Sequence, residues 1–138
     1  MRLAAAVIDT NVVVSGILAG APESPTVKIL DGMLAGRFRF LLSVELLAEY
    51  AEVLSRRRIR RFHGLSEAEI DTVLTQIAAN GVVIESMGTG GRKRDDLIRR
   101  ILEVEPSAVL VTGDSHLTAG VGKTAVSPCE FVERYFGS

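Results

Sequence analysis

Short, almost wholly apolar runs alternate along this chain with longer stretches patterned for helices, and that alternation limits the fold more than any other feature. LAAAVID, ending at residue 9, and SAVLVTGD, ending at residue 114, have the character of strands buried on both faces of a parallel sheet. RFRFLLS (37–43), VVIES (82–86) and residues 124–126 read as further short strands. Ser24 as a cap, Pro25 in the first turn and Gly36 beyond the end frame a helix closing at Ala35, with Val27, Leu30 and Leu34 on one face. Val44, Leu47, Ala51 and Leu54 form the stripe of a helix over 44–57. Ser66 and Glu69 stand at capping-box spacing and open a helix that runs to Asn80. Two more run from Asp95 or Asp96 to Glu103 and from Pro128 to Tyr135. VVVSGILAG, punctuated by Gly16, Gly20 and Pro22, predicts a short helix and a loop, and MGTGGRKR predicts another loop. Strand and helix in alternation predict a three-layer α/β/α fold, Rossmann-like, with a central and mostly parallel sheet.

A length of 138 residues suits a single domain spanning 1–138. No apolar run approaches the roughly 20 residues that cross a bilayer, and the first residues lack the long apolar centre of a signal peptide. The lone Cys129 can make neither an internal disulfide nor a thiolate metal cluster. These features predict a cytoplasmic protein with no membrane partner.

Ligands of open parallel sheets bind beyond the carboxyl ends of the strands. Asp9 and Asp114 each end a strand, and if those strands are neighbours the two acids share one edge. Each alone also suits a turn, where an aspartate bonds local backbone. Brought within about 4–6 Å of each other, two carboxylates destabilise one another unless a cation sits between them, so their convergence points to a metal. Glu49, on the 44–57 helix, is either an exposed acid or a further member of the set. Asp96 and its neighbour Asp95 begin a helix, where the dipole favours an acid in any case. Carboxylate oxygens suit Mg²⁺ or Mn²⁺, and such ions promote phosphodiester hydrolysis.

The net charge of −1 conceals two basic windows. Arg56, Arg57, Arg58, Arg60 and Arg61 make up the first, and Arg92, Lys93, Arg94, Arg99 and Arg100 the second. They are either solvated helix ends or the cations that draw a polyanion toward an acidic centre.

VIDTNVVVSG, LLSVELLAEYAEVL, DDLIRRIL and AVLVTGDSHL together resemble the four acidic motifs of PIN-domain ribonucleases. The likeness is to the VapC-related branch, the toxins of bacterial toxin–antitoxin pairs, and it runs from Ile8 to the closing SPCEFVERYF. It implies that Asp9, Glu49, Asp96 and Asp114 are the catalytic metal ligands, with Asn11 and Thr112 as supporting polar residues. The eighteen-residue interval from Asp96 to Asp114 agrees with the family's usual spacing. The resemblance further implies a Mg²⁺- or Mn²⁺-dependent endoribonuclease, and by their charge Arg56, Arg57, Arg58, Arg60, Arg61, Arg92, Lys93 and Arg94 are then the residues expected to hold the RNA. A small antitoxin and a second copy of the chain are the implied partners. The alternative is a PIN-like module that binds RNA or protein without cutting. Relatives in this branch often carry an acid-proline-acid-acid run where this chain has Arg92-Lys93-Arg94-Asp95-Asp96, a more basic entrance.

Other signals fail on inspection. GVGKT (120–124) would need a glycine at Leu117 and a long following helix to be a phosphate loop, and Pro128 intervenes. Asn11 cannot act as the general acid of an aspartyl phosphatase. His63 and His116 lack zinc-ligand spacing, although His116 follows Asp114 closely enough to touch a substrate.

Overall fold

The structure is a computed structural model describing residues 5–85, 94–114 and 125–136, with only the backbone of Arg94 and Asp95. Strand β1 (Ala6–Ile8) leads directly into helix α1 (Thr10–Leu18), which is followed by α2 (Pro25–Ala35) and β2 (Leu41–Leu42). Helices α3 (Val44–Ser55), α4 (Arg57–His63) and α5 (Glu67–Asn80) precede β3 (Val82–Val83). Then come α6 (Arg94–Val104), β4 (Val109–Val111), β5 (Ala125–Val126) and α7 (Pro128–Phe131), extended by a π-helical turn over Val132–Phe136.

Every described strand pair is parallel. β1 pairs with β4 in the register Ile8↔Val111, and β4 pairs with β5 through Val111↔Val126. β2 and β3 pair through Leu41↔Val82, and an isolated parallel bridge, Ala6↔Phe40, joins them to β1. The spatial order is therefore β3-β2-β1-β4-β5. Helices on both faces complete the three-layer α/β/α fold that the alternation of elements predicts. β1 is wholly buried, and Val7, Ile8, Leu110 and Val111 lie in the main core with Ile29, Met33, Phe40 and Ile98. No helix among the described residues is long and apolar enough to cross a membrane.

Three local differences from the sequence expectation have physical causes. Gly16 does not end α1: it lies inside the helix, where a Cβ would stand 2.7 Å from the Thr26 carbonyl oxygen and 2.8 Å from Leu30 Cβ. The glycine is there so that α1 and α2 can approach closely. The expected strand over 37–43 contracts to Leu41–Leu42, because Phe38 instead joins an aromatic cluster with Phe40, Phe131 and Phe136.

The helix expected over 44–57 stops at Ser55, since Arg56 turns extended (ψ 134°) and the arginines begin the separate helix α4. Its buried face is Leu46, Tyr50, Val53 and Leu54, while Val44, in the first turn, is 70% exposed. By contrast the Ser66/Glu69 capping box and the left-handed Gly36 (φ 66°) that ends α2 are present as expected.

Candidate active site

The carboxyl ends of β1 and β4 form one edge because the two strands are hydrogen-bonded neighbours. Asp9 follows β1 immediately and its backbone N–H donates to the Val111 carbonyl at 3.0 Å, extending the ladder by one step. The residue is fully buried. It is the N-cap of α1 by backbone geometry, yet its side chain makes no capping hydrogen bond. Its Oδ2 instead accepts from the Thr112 hydroxyl at 2.7 Å, across 103 residues of sequence. The same Thr112 oxygen accepts from the Asp114 backbone N–H at 2.9 Å. One buried threonine thus ties the Asp9 carboxylate to the loop that carries Asp114.

Two further features surround Asp9. The positive end of the α1 dipole meets it, which favours a buried carboxylate there. α3, which packs against α1, is latched to β1 by Tyr50, whose buried phenol donates to the Ile8 carbonyl. Burial first, and then the negative charge of Asp9, push the Tyr50 phenol well above its ordinary range, so it stays a protonated donor. Sequence reasoning missed Tyr50, because the helical stripe was traced through aliphatic residues. The only cue was an aromatic residue next to Glu49. The Thr10 hydroxyl, beside Asp9, is buried with no hydrogen-bond partner among the described residues. Buried hydroxyls are rarely left so, and a bound solvent molecule or ligand is the usual complement.

The other expected residues are placed as follows. Glu49 is half-buried on α3, one position before the latch. Asp96 lies in the first turn of α6, half-buried and 3.6 Å from Arg99 in an ion pair along its own helix. α6 packs against both β1 and α3. Asp114 is half-buried just past β4, and Asn11 is exposed in the first turn of α1. Among the described residues, no group of three or more His, Cys, Asp or Glu side chains is arranged to hold a metal ion. What the structure joins is the edge made by Asp9, Thr112 and Asp114. That edge fits a hard ion by donor chemistry, since Mg²⁺ commonly takes one or two carboxylates and fills its remaining positions with water and substrate oxygens. The Thr10 orphan beside it is consistent with that fit.

The first basic window forms its own short helix, anchored to the body of the protein. His63 Nδ1 accepts from the Leu65 N–H at 2.8 Å, and its Nε2 lies 3.0 Å from the Leu54 carbonyl, pinning α4 to α3. Ile59 packs into a second small core of Val14, Val53, Leu54 and Ile70. The arginines consequently face out. Arg57, Arg58 and Arg61 are exposed, Arg56 pairs with Glu52 at 2.9 Å, and Arg60 reaches Glu67 at 4.0 Å. A groove of about 740 Å³ beside the helix is lined by Arg57, Arg60, Arg61, Ser55, Ser66 and Glu69. Arg92, Lys93 and His116 lie outside the described residues, as do the side chains of Arg94 and Asp95.

The PIN domain family matches the chain over residues 5–116, a span that contains all four expected acids and ends before β5 and α7. A search of the curated proteins found no match. PIN domains are usually metal-dependent nucleases, and the family match supports nucleic acid as the class of ligand.

Proposed function

The chain belongs to the PIN-domain family, and on that premise we propose that it is a Mg²⁺- or Mn²⁺-dependent endoribonuclease hydrolysing RNA phosphodiester bonds. The observation that carries the reading is the Thr112 bridge between the Asp9 carboxylate and the Asp114 backbone, at the carboxyl edge of adjacent parallel strands. Asp9 and Asp114 would hold the ion, joined by Glu49 from α3 and Asp96 from α6. When bound, a divalent ion supplies Lewis acidity toward phosphoryl oxygens and an acidified water.

The protein's own part is positional. Thr112 holds the Asp9 carboxylate in one orientation, Tyr50 fixes the end of β1, and Asn11, exposed on the first turn of α1, would orient solvent or substrate. Arginines of both basic windows offset the repulsion between an acidic edge and a polyanion. The motif likeness further supports one such domain over residues 1–138, working in the cytoplasm as the VapC-related toxin of a toxin–antitoxin pair. A small antitoxin and a homodimer go with that reading.

Replacing Asp9 or Asp114 by Asn should abolish Mn²⁺-dependent cleavage of single-stranded RNA while the circular dichroism spectrum is retained. Undiminished cleavage overturns the assignment. A second reading, a PIN-like module that binds without cutting, draws on the ion pair that already engages Asp96. Calorimetric titration of Mn²⁺ separates the two, since absence of binding at millimolar metal favours the non-cutting module.

A further inference from the structure

Helix α4 carries a feature that the ribonuclease reading does not require. At 100° per residue, Ile59 and His63 turn toward the protein, and Arg57, Arg61, Arg58 and Phe62 follow one another around the outer arc. Phe62 is 77% exposed. Scattered exposed apolar residues need no explanation, but this one stands one turn from Arg58 and next to Arg61. Neither of these arginines, nor Arg57, has a carboxylate ion partner among the described residues.

We propose that the outer face of α4 is a platform for single-stranded nucleic acid, with one base stacked on Phe62 and the flanking phosphates held by Arg57, Arg58 and Arg61. The positive charge selects a polyanion, and the aromatic face selects one whose bases are unpaired, because a duplex hides its base faces inside the stack. Rigidity comes from the inner side, where the His63 hydrogen bonds and Ile59 hold the helix in place. The groove beside it is lined also by Arg60 and by Glu69, whose carboxylate is engaged with the Ser66 N–H at 2.9 Å. α3 connects this face to the candidate site: from Tyr50, latched to the end of β1, to Ser55 it rises about 7.5 Å. A strand lying along α3 would reach both. The proposal takes RNA as the substrate from the ribonuclease reading and adds where an unpaired base is recognised.

The test uses the full chain with D9N, in EDTA, so that binding is read without cleavage. Fluorescence anisotropy follows a short labelled single-stranded RNA and the matching duplex. F62A should weaken single-strand binding on the order of tenfold, leave duplex binding and the salt dependence unchanged, and be rescued by F62W. R58A should weaken both RNAs and reduce the slope of log K against log salt by about 0.7 for the single strand. Phe62 is exposed, so F62A does not threaten the fold. Single-strand affinity unchanged in F62A, or an equal loss on duplex, overturns the stacking platform. Binding of an acidic peptide to this face with no competition from RNA also overturns it, marking a protein-docking surface instead. Failure of the protein with Asp9 intact to cleave RNA in Mn²⁺ would refute the ribonuclease reading alone, since the binding measurements stand without it.

Discussion

Replacing Thr112 by Val removes one oxygen from the buried edge and keeps the side chain's shape. Thr112 is 2% exposed, donates to the Asp9 carboxylate at 2.7 Å and accepts from the Asp114 N–H at 2.9 Å. A hydrogen bond to a charged group contributes about 1.5–3 kcal/mol, and a second, neutral one about 1 kcal/mol. The variant should therefore lose about 3 kcal/mol, a substantial part of the 5–15 kcal/mol typical of a domain. With an unfolding entropy of about 2.1 cal/mol/K per residue, that loss lowers the melting temperature by roughly 10 °C. T112S keeps the hydroxyl and loses a methyl, so it should fall by only about 1 kcal/mol. Thermal unfolding in EDTA, followed by circular dichroism, keeps metal out of the comparison. In a D9N background the T112V loss should shrink, because the bond no longer meets a full charge. If T112V melts with the unmodified chain, or if T112S is the more damaged of the two, the bridge does not hold this edge together.

Two further outcomes are expected. G16A should destabilise the protein by about 1–2 kcal/mol in urea denaturation: the roughly 1 kcal/mol gained in helix propensity is outweighed by contacts of 2.7 and 2.8 Å with the Thr26 carbonyl and Leu30 Cβ. An unchanged or raised midpoint would mean that α1 and α2 are not in close contact there. The Glu69 carboxyl is held below its ordinary value of 4.5, first by the Ser66 backbone N–H and then by the Ser66 hydroxyl. A lowered folded value stabilises above the unfolded value and is lost as pH falls through the folded one, so the urea midpoints of the unmodified chain and E69Q should differ at neutral pH and converge below about pH 4.5. A difference independent of pH would rule out the carboxylate as its source.

Elements whose physics is local were readable along the chain. Pro25 and Gly36 frame α2 through backbone restrictions they impose themselves, and Ser66 and Glu69 close their capping box within one turn. The Ser127/Glu130 capping box of α7 was equally readable and was passed over. The break at Arg56 was not readable, since nothing in SRRRIRRF forbids a continuous helix. It occurs because Ile59 and His63 find partners in a second core that only the folded chain contains.

The candidate site divides in the same way. Sequence alone determined that two apolar runs would form buried strands with an acid at or just beyond each carboxyl end, since apolar runs this short pattern as buried strands, and the family resemblance marked Thr112, beside Asp114, as a supporting polar residue. Only the tertiary structure decided that β1 and β4 lie side by side, that Thr112 reaches Asp9 across 103 residues, and that Tyr50 locks α3 onto the end of β1. It also decided that Asp96 turns to Arg99 in the described arrangement. The physical reason is range. Propensity, capping and periodicity act within a turn or a strand, whereas the pairing of distant strand ends is settled by which buried polar groups can satisfy one another once the core has formed.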